Sequence, residues 1–188
     1  MKSDTYHHGN LKEELIEKGL EYIHRYGTEN LSMRKLAESA GVSPAAPYAH
    51  FMSKEAFLTA VRDHITERFS ATLTEAADSC SDESRVLLNL GKSYVLFFCK
   101  NPLYYQFLFS REDIDTETYQ PFLLFRGIAE NVIKETSQGK ATEDVVRAKV
   151  IALWALVHGL ASVVTIKGAV DTAHLEEEIE RILGAVTV

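Results

Sequence analysis

The sequence predicts an all-α protein: a small three-helix head carrying a helix-turn-helix, joined by a long helix to a larger helical bundle, about nine helices in all. Three observations point there. Apolar residues recur at three- and four-residue spacing in one segment after another. No segment alternates apolar and polar residues as a half-buried strand does. Gly, Pro, Asn and Ser/Asp clusters punctuate the periodic runs. The 188 residues are 46% hydrophobic and 25% charged, ordinary for a globular chain and enough to bury a substantial core.

Met1 to Gly9 is polar and aperiodic and reads as a flexible arm; the adjacent His7 and His8 lack further ligands nearby, so no metal site is expected. Asn10 and Glu13 have the spacing of a capping box. Leu11, Leu15, Ile16, Gly19, Leu20, Ile23 and Tyr26 then form the apolar stripe of a first helix, ended by Gly27. Ser32 is the N-cap of a second helix bearing Leu36, Ala37 and Ala40, and Gly41 supplies the left-handed residue that ends it. Ser43-Pro44 opens another element after so short a turn that the two must cross steeply, which is a helix-turn-helix. Pro47 removes a backbone donor there and disfavours helical angles at Ala46, so this element is expected to be short, distorted or 3₁₀-like.

From Lys54 to about Ala77 a long helix carries Phe57, Leu58, Val61, Ile65, Phe69 and Leu73. Residues 1–53 are expected to form the head with its arm, and 54–188 the helical body. Asp78 to Asp82 is a polar break. Glu83 to Lys100 is helical again and is stopped by Asn101-Pro102; Leu103 to Phe109 is dense in aromatics; Arg111 to Glu117 is an acidic loop. A helix from about Thr118 to Ser137 follows. The most apolar helix runs from Thr142 to about Ile166, with a stripe wide enough to need cover on more than one side. The last runs from Asp171 to Gly184.

No apolar run is expected to span a membrane, and the N-terminus lacks the apolar core of a signal peptide. Cys80 and Cys99 form no framework, which fits a reducing cytoplasm. The net charge of −7 tells against a nucleic-acid binder, but it is unevenly placed. Residues 1–60 hold 7 Lys/Arg and 8 Asp/Glu; the remaining 128 hold 13 and 19. Within Leu31–Phe57, Arg34, Lys35 and Lys54 face only Glu38 and Glu55, so one locally positive face is expected on an acidic protein.

The string VSPAAPYAHFMSKEAF, with YHHGNLKEELIEKGLEYIHRYG upstream, resembles the DNA-binding domain of the tetracycline-repressor (TetR) family. Tyr48, His50, Phe51, Lys54 and Glu55 stand where that family has Tyr-x-His-Phe-x-x-Lys-Glu. WALVHGLA, Trp154 to Ala161, is similar to the Trp…His-Gly signature of one class of TetR C-terminal domain. Ala49 departs from the pattern, since many relatives carry a basic or polar residue there.

The resemblance implies a cytoplasmic, nucleoid-associated repressor that binds a palindromic operator in double-stranded DNA as a homodimer and is released by a small-molecule effector. It also implies a ligand pocket among the middle helices and a dimer made by the last two. Chemistry assigns candidate roles. Arg34, Lys35 and Lys54 offer charge to phosphates, Ser43 a hydroxyl at a turn, Tyr48 and His50 polar tips, and Ala45 apolar contact. Tyr48 alternatively covers the small core. For the pocket the aromatic middle is the candidate: Phe97, Tyr104, Tyr105, Phe122, Phe125 and Trp154, with His158 as a polar hook for an apolar or aromatic effector. Plain packing is the competing reading for each, and His158 could equally serve the dimer. Val157, Leu160, Ala161, Val164, Leu175, Ile179 and Ile182 are the expected dimer interface. No cofactor, membrane contact or catalysis is expected, because Gly-rich phosphate loops, nucleophile elbows, HExxH and Glu-x-x-His repeats are absent. The alternative is a helical protein of this fold that has lost DNA binding and serves as a ligand-binding or interaction module.

Overall fold

Ser32 adopts extended angles and its Oγ accepts from Lys35 N at 3.3 Å, which starts helix α2, Met33–Ala40. Gly41 ends it at φ 67°, ψ 27°, with Gly41 N donating to Glu38 O and Val42 N to Ala37 O. These cap bonds satisfy backbone groups a helix end leaves open. In this computed structural model, residues 11–109, 118–164 and 174–185 are described. The arm 1–9, Asn10 of the capping box, the acidic loop 111–117, the expected helix beyond Val164 and the start of the last helix at 171–173 lie outside them.

Helix α1, Leu11–Tyr26, precedes α2. Its Leu11, Leu15, Ile16, Gly19 and Leu20 are buried, but Tyr26 is 54% exposed: the stripe turns outward one helical turn before the end. Gly27, at φ 83°, closes α1 with its N–H on Ile23 O. The next element is the 3₁₀ helix Ala46–Ala49 rather than an α-helix. Ala46 N donates to Ser43 O, Tyr48 N to Ala45 O, and His50 N to Pro47 O; Pro47, having no N–H, breaks the series that would have made an α-turn. Then comes α3, Lys54–Asp78.

The remaining elements are α4 (Val86–Lys100), α5 (Pro102–Phe109), α6 (Gln120–Thr136), α7 (Glu143–Val164) and α8 (Leu175–Gly184). Among the described residues there are eight α-helices and no strand, with short 3₁₀ turns at Thr28–Asn30, Ala46–Ala49 and Glu83–Arg85. Pro102, read as a stop, also occupies the first position of α5, where its missing N–H costs nothing.

The chain divides into two compact units: Met1–Ile65 with Gln106–Ser110, and Thr66–Tyr105 with Arg111–Val188. In the first, Leu15, Ile16, Leu20, Leu36, Phe51, Phe57 and Val61 form the core. Gly19 lets α1 and α3 approach, for a Cβ there would lie 2.2 Å from Phe57 Cζ. In the second, α4 is central, packed by α6, α7 and α8. Gly91 is the close-approach point, where a Cβ would meet Leu183 and Val157 at 3.1 Å. Lys92 of α4 reaches Glu176 and Glu180 of α8 at 3.5 and 3.4 Å, and Arg85 pairs with Glu180 at 2.5 Å.

One expectation is corrected by α7, which by length and composition alone could cross a membrane, with a mean hydropathy of 1.5. Its Val146, Val150, Val157, Leu160, Ala161 and Val164 are buried within the protein, while others of its apolar side chains, Ile151 and Val163 among them, are exposed.

Candidate nucleic-acid interface and ligand cavity

The head presents an edge from Ser43 to His50. Ser43, Ala45, Ala49 and His50 are exposed, and Tyr48 is 57% exposed, so its ring does not cover the core. Pro47, in contrast, is buried and acts as a plug. Phe51 is buried edge-on against Phe57, with centroids 5.1 Å apart. It anchors the turn to α3, and the polar tips on either side are left outside. Met52 is 90% exposed. The sequence carries no periodic signal for it, because it lies between two elements.

The three expected cations are all present, and each already has a partner. Arg34 Nε lies 3.0 Å from Glu38 Oε1, an exposed i,i+4 pair. Lys35 Nζ donates to Asn30 O at 3.0 Å and sits 5.8 Å from the Tyr22 ring centroid. Lys54 Nζ lies 3.5 Å from Glu29 O. Contacts of this sort at an exposed surface are worth at most about 1 kcal/mol, so a phosphate can compete for all three. Ser53 Oγ accepts from Ala56 N at 3.1 Å and so starts α3. Glu55 in its first turn is more acidic than an ordinary glutamate through its backbone bond and Ser53.

In the second unit the aromatic residues pack on one another. Tyr94 is the hub: its ring meets Phe69 at 4.9 Å, Trp154 at 5.1 Å and Phe98 at 5.3 Å, mostly edge to face, the favoured arrangement. Phe97, Tyr104 and Phe125 are buried among these rings, an arrangement that fits the packing reading left open for each of them. His158 is half-buried between two hydroxyls, with Tyr94 Oη 3.0 Å from Nδ1 and Tyr105 Oη 3.3 Å from Nε2. A neutral imidazole donates through one nitrogen and accepts through the other. One of the two hydroxyls therefore donates to the ring and the other accepts from it. Tyr105 Oη also lies 3.5 Å from the His158 carbonyl. Burial lowers the basicity of His158 below that of an ordinary histidine and pushes the Tyr94 phenol well above its usual range.

Open space lies beside this cluster. A cavity of about 660 Å³ between α6 and α7 is lined by Phe122, Trp154, Val146, Val150 and Ile151, and by Arg126, Lys134, Arg147, Glu130, Glu143 and Asp144. Of the expected pocket residues it takes Phe122 and Trp154. Its charged rim has no signal in the sequence, because those residues read as the solvated faces of two helices. Trp154 joins cavity and cluster: it touches Phe122 at 5.0 Å and Tyr94 at 5.1 Å.

The residues expected at the dimer are mostly covered within the single chain. Val157, Leu160, Ala161 and Val164 are buried within the protein, as is Ile179, and a side chain covered by its own chain has no face left for a second copy. Leu175 and Ile182 are half-exposed. The outward side of α7 carries Ala148, Ile151, Ala152, Ala155, Gly159 and Val163, with Ile151 51% and Val163 43% exposed. No group of three or more potential metal ligands occurs among the described residues.

Residues 15–61 match the family model of bacterial regulatory proteins of the tetR family, and residues 87–186 that of the tetracyclin repressor-like C-terminal domain. No curated protein matches the sequence. In structure the chain is similar to a protein of unknown function from Rhodococcus sp. RHA1, at 23% identity over 98% of this chain and 97% of that one, with a TM-score of 0.72. It is similar to the fatty acid degradation regulator FadR from Bacillus halodurans, at 14% identity over 97% and 96%, TM-score 0.71. It is also similar to AibR in complex with isovaleryl coenzyme A and operator DNA, at 15% identity over 94% and 97%, TM-score 0.69.

Proposed function

The chain belongs to the tetR family of bacterial regulatory proteins, and on that premise we propose that it is a repressor whose head binds operator DNA as half of a homodimer and lets go when a small molecule enters the α6–α7 cavity. The observation that carries the reading is the Ser43–His50 edge: a capped helix, a left-handed glycine and a short turn that leave Ser43, Tyr48 and His50 exposed while Pro47 and Phe51 hold the turn down. An edge of this kind fits a major groove, and two-fold pairing matches half-sites about one helical turn apart.

The outward side of α7 is the proposed seat of the dimer. Its small residues allow two helices to approach closely, and Ile151 and Val163 then lose their exposure to water. The cavity floor of Phe122, Trp154 and Val150 would hold the apolar or aromatic body of an effector, and the Arg and Lys rim its polar end. AibR, of similar fold, is seen with an acyl thioester and operator DNA.

Trp154 offers the effector a route to the head. Moving it disturbs Tyr94, and through Tyr94 the buried Phe69 of α3; α3 is one unbroken helix contributing to both units. A coupling of about 1–3 kcal/mol between the two sites would suffice.

Selection of bound duplexes from random DNA tests the reading. A palindrome is expected, and an unenriched pool would refute it. The alternative, a module that has lost DNA binding, is favoured by one observation, the engagement of Arg34, Lys35 and Lys54 by partners within the head. A reporter under the selected operator, repressed by the protein, would count against that alternative.

A further inference from the structure

The reading edge has an unusual chemistry. Between Gly41 and Ser53 there is no Arg, Lys, Asn, Gln, Asp or Glu. Those are the residues that pair bidentately with guanine or adenine, or accept from cytosine, in the major groove. What the edge exposes is the ring of Pro44, the methyl groups of Ala45 and Ala49, the thioether chain of Met52, and three single-hydroxyl or ring groups, Ser43, Tyr48 and His50. Pro47 is buried and offers nothing. One base carries an apolar feature in the major groove: thymine, through its C5-methyl. Apolar residues gain by excluding water from such a group, and the polar tips can hold phosphates, which fix register without reading sequence.

Resting on the DNA-binding reading above, we propose that this protein selects its operator chiefly by contacts between Ala45, Ala49 and Met52 and thymine methyl groups, with no bidentate guanine or adenine contact from the reading edge. Met52 suits the role because an unbranched thioether adapts its shape to a surface. The operator half-site is therefore rich in thymine at the contacted steps, on either strand.

The full-length protein is titrated onto its selected operator by fluorescence anisotropy, with single atoms of the DNA altered. Deoxyuridine in place of a contacted thymidine removes only the methyl. It is expected to weaken binding about three- to fivefold per site, the worth of one buried carbon. 5-Methylcytosine, compared with cytosine at the same position, is expected to recover a similar factor. 7-Deazaguanine, which lacks the acceptor a bidentate arginine or lysine uses, is expected to change binding less than about twofold. Ala49→Gly should abolish the deoxyuridine penalty at one thymine while leaving the others.

A half-site fully substituted with deoxyuridine that binds as well as the parent overturns the proposal. So does a loss of binding on 7-deazaguanine substitution. Both results leave the DNA-binding reading intact; failure of the random pool to enrich any duplex sinks that reading and this inference together.

Discussion

Replacing Gly159 with leucine tests the dimer face while sparing the protomer. Gly159 lies on the exposed side of α7, and a Cβ built on it meets no heavy atom within 4 Å. Helix propensity favours leucine over glycine by up to about 1 kcal/mol, so the isolated protomer should be slightly more stable. The pair should suffer. In the proposed dimer, Ala152, Ala155 and Gly159 would let two α7 helices come near the short end of the usual 8–10 Å helix separation, and at that distance Ile151 and Val163 of both copies would leave water. Each of these four side chains is about half-exposed in the single chain. Half the burial value of a large aliphatic, about 1 kcal/mol, is thus available from each. Leucine at the crossing would separate the helices by more than a methyl diameter and forfeit most of it. A loss of about 3 kcal/mol, or about two orders of magnitude in dimer Kd, is expected. Sedimentation velocity across a concentration series reads the Kd, and urea unfolding of dilute samples reads the protomer. If Gly159→Leu dimerises like the parent while Val157→Ala, a buried change, does not, α7's outward side is not the interface.

The other expectations are smaller. Gly19→Ala should destabilise the head by about 1–2 kcal/mol in urea melts, since overpacking against Phe57 exceeds the helix-propensity gain; an unchanged midpoint would mean that the ring moves aside freely. Tyr94→Phe and His158→Leu should each cost about 1 kcal/mol, and their double variant less than the sum, because removing both partners leaves neither polar group buried opposite an apolar one; strict additivity would deny the bond. His158 has a lowered folded-state pKa, so the unfolded chain takes up a proton first. Its contribution to stability is present above the ordinary histidine pKa of about 6.5 and is lost as the pH falls through that value toward the folded one; midpoints for the wild type should drop on acidification more than those of His158→Leu. Lys54→Ala should weaken binding evenly across sequences and flatten the salt dependence by about 0.9 log units per log unit of salt for each phosphate left without its cation; an unaltered slope removes Lys54 from the phosphate set.

Local chemistry makes the head legible without coordinates. Ser32, Gly41 and Pro47 each dictate a backbone state, and the structure has a capped start, a left-handed stop and a 3₁₀ turn at those points. The long helix from Lys54 is equally plain, because Phe57, Val61, Ile65, Phe69 and Leu73 repeat every four residues and are all buried. Helix α7 is harder. It is apolar on nearly every side, so periodicity shows that it is a helix but not which side turns inward, and Val157 and Ala161 lie on the side opposite to the one expected. The cavity is hidden for a related reason. Aromatic side chains in a sequence do not reveal whether they fill space or border it; here Phe97, Tyr104 and Phe125 fill it, and the opening appears where α6 and α7 meet, with a floor of only two of the expected rings. Met52, between two elements, lies where no period constrains a side chain, and Tyr26, though in register with the α1 stripe, is exposed at the last residue of the helix.

Charge and reading chemistry turn out to be two sides of one arrangement. A DNA-binding surface usually gains affinity from released counterions, and the gain grows with each phosphate neutralised. Here the protein carries −7 overall, and Arg34, Lys35 and Lys54 share their charge or donors with Glu38, the Asn30 carbonyl and the Glu29 carbonyl. The electrostatic part of the affinity is therefore modest, and so is its share in non-specific binding, which is almost wholly electrostatic. An edge of alanine and methionine methyls gives little attraction to a phosphate backbone, but it responds to the presence or absence of a methyl on a base. Weak attraction to DNA in general and methyl-dependent attraction to one sequence raise the ratio between specific and non-specific binding, the quantity that decides occupancy in a genome full of competing sites. In this head an acidic composition is compatible with operator recognition, because discrimination is assigned to groups whose contribution does not depend on charge.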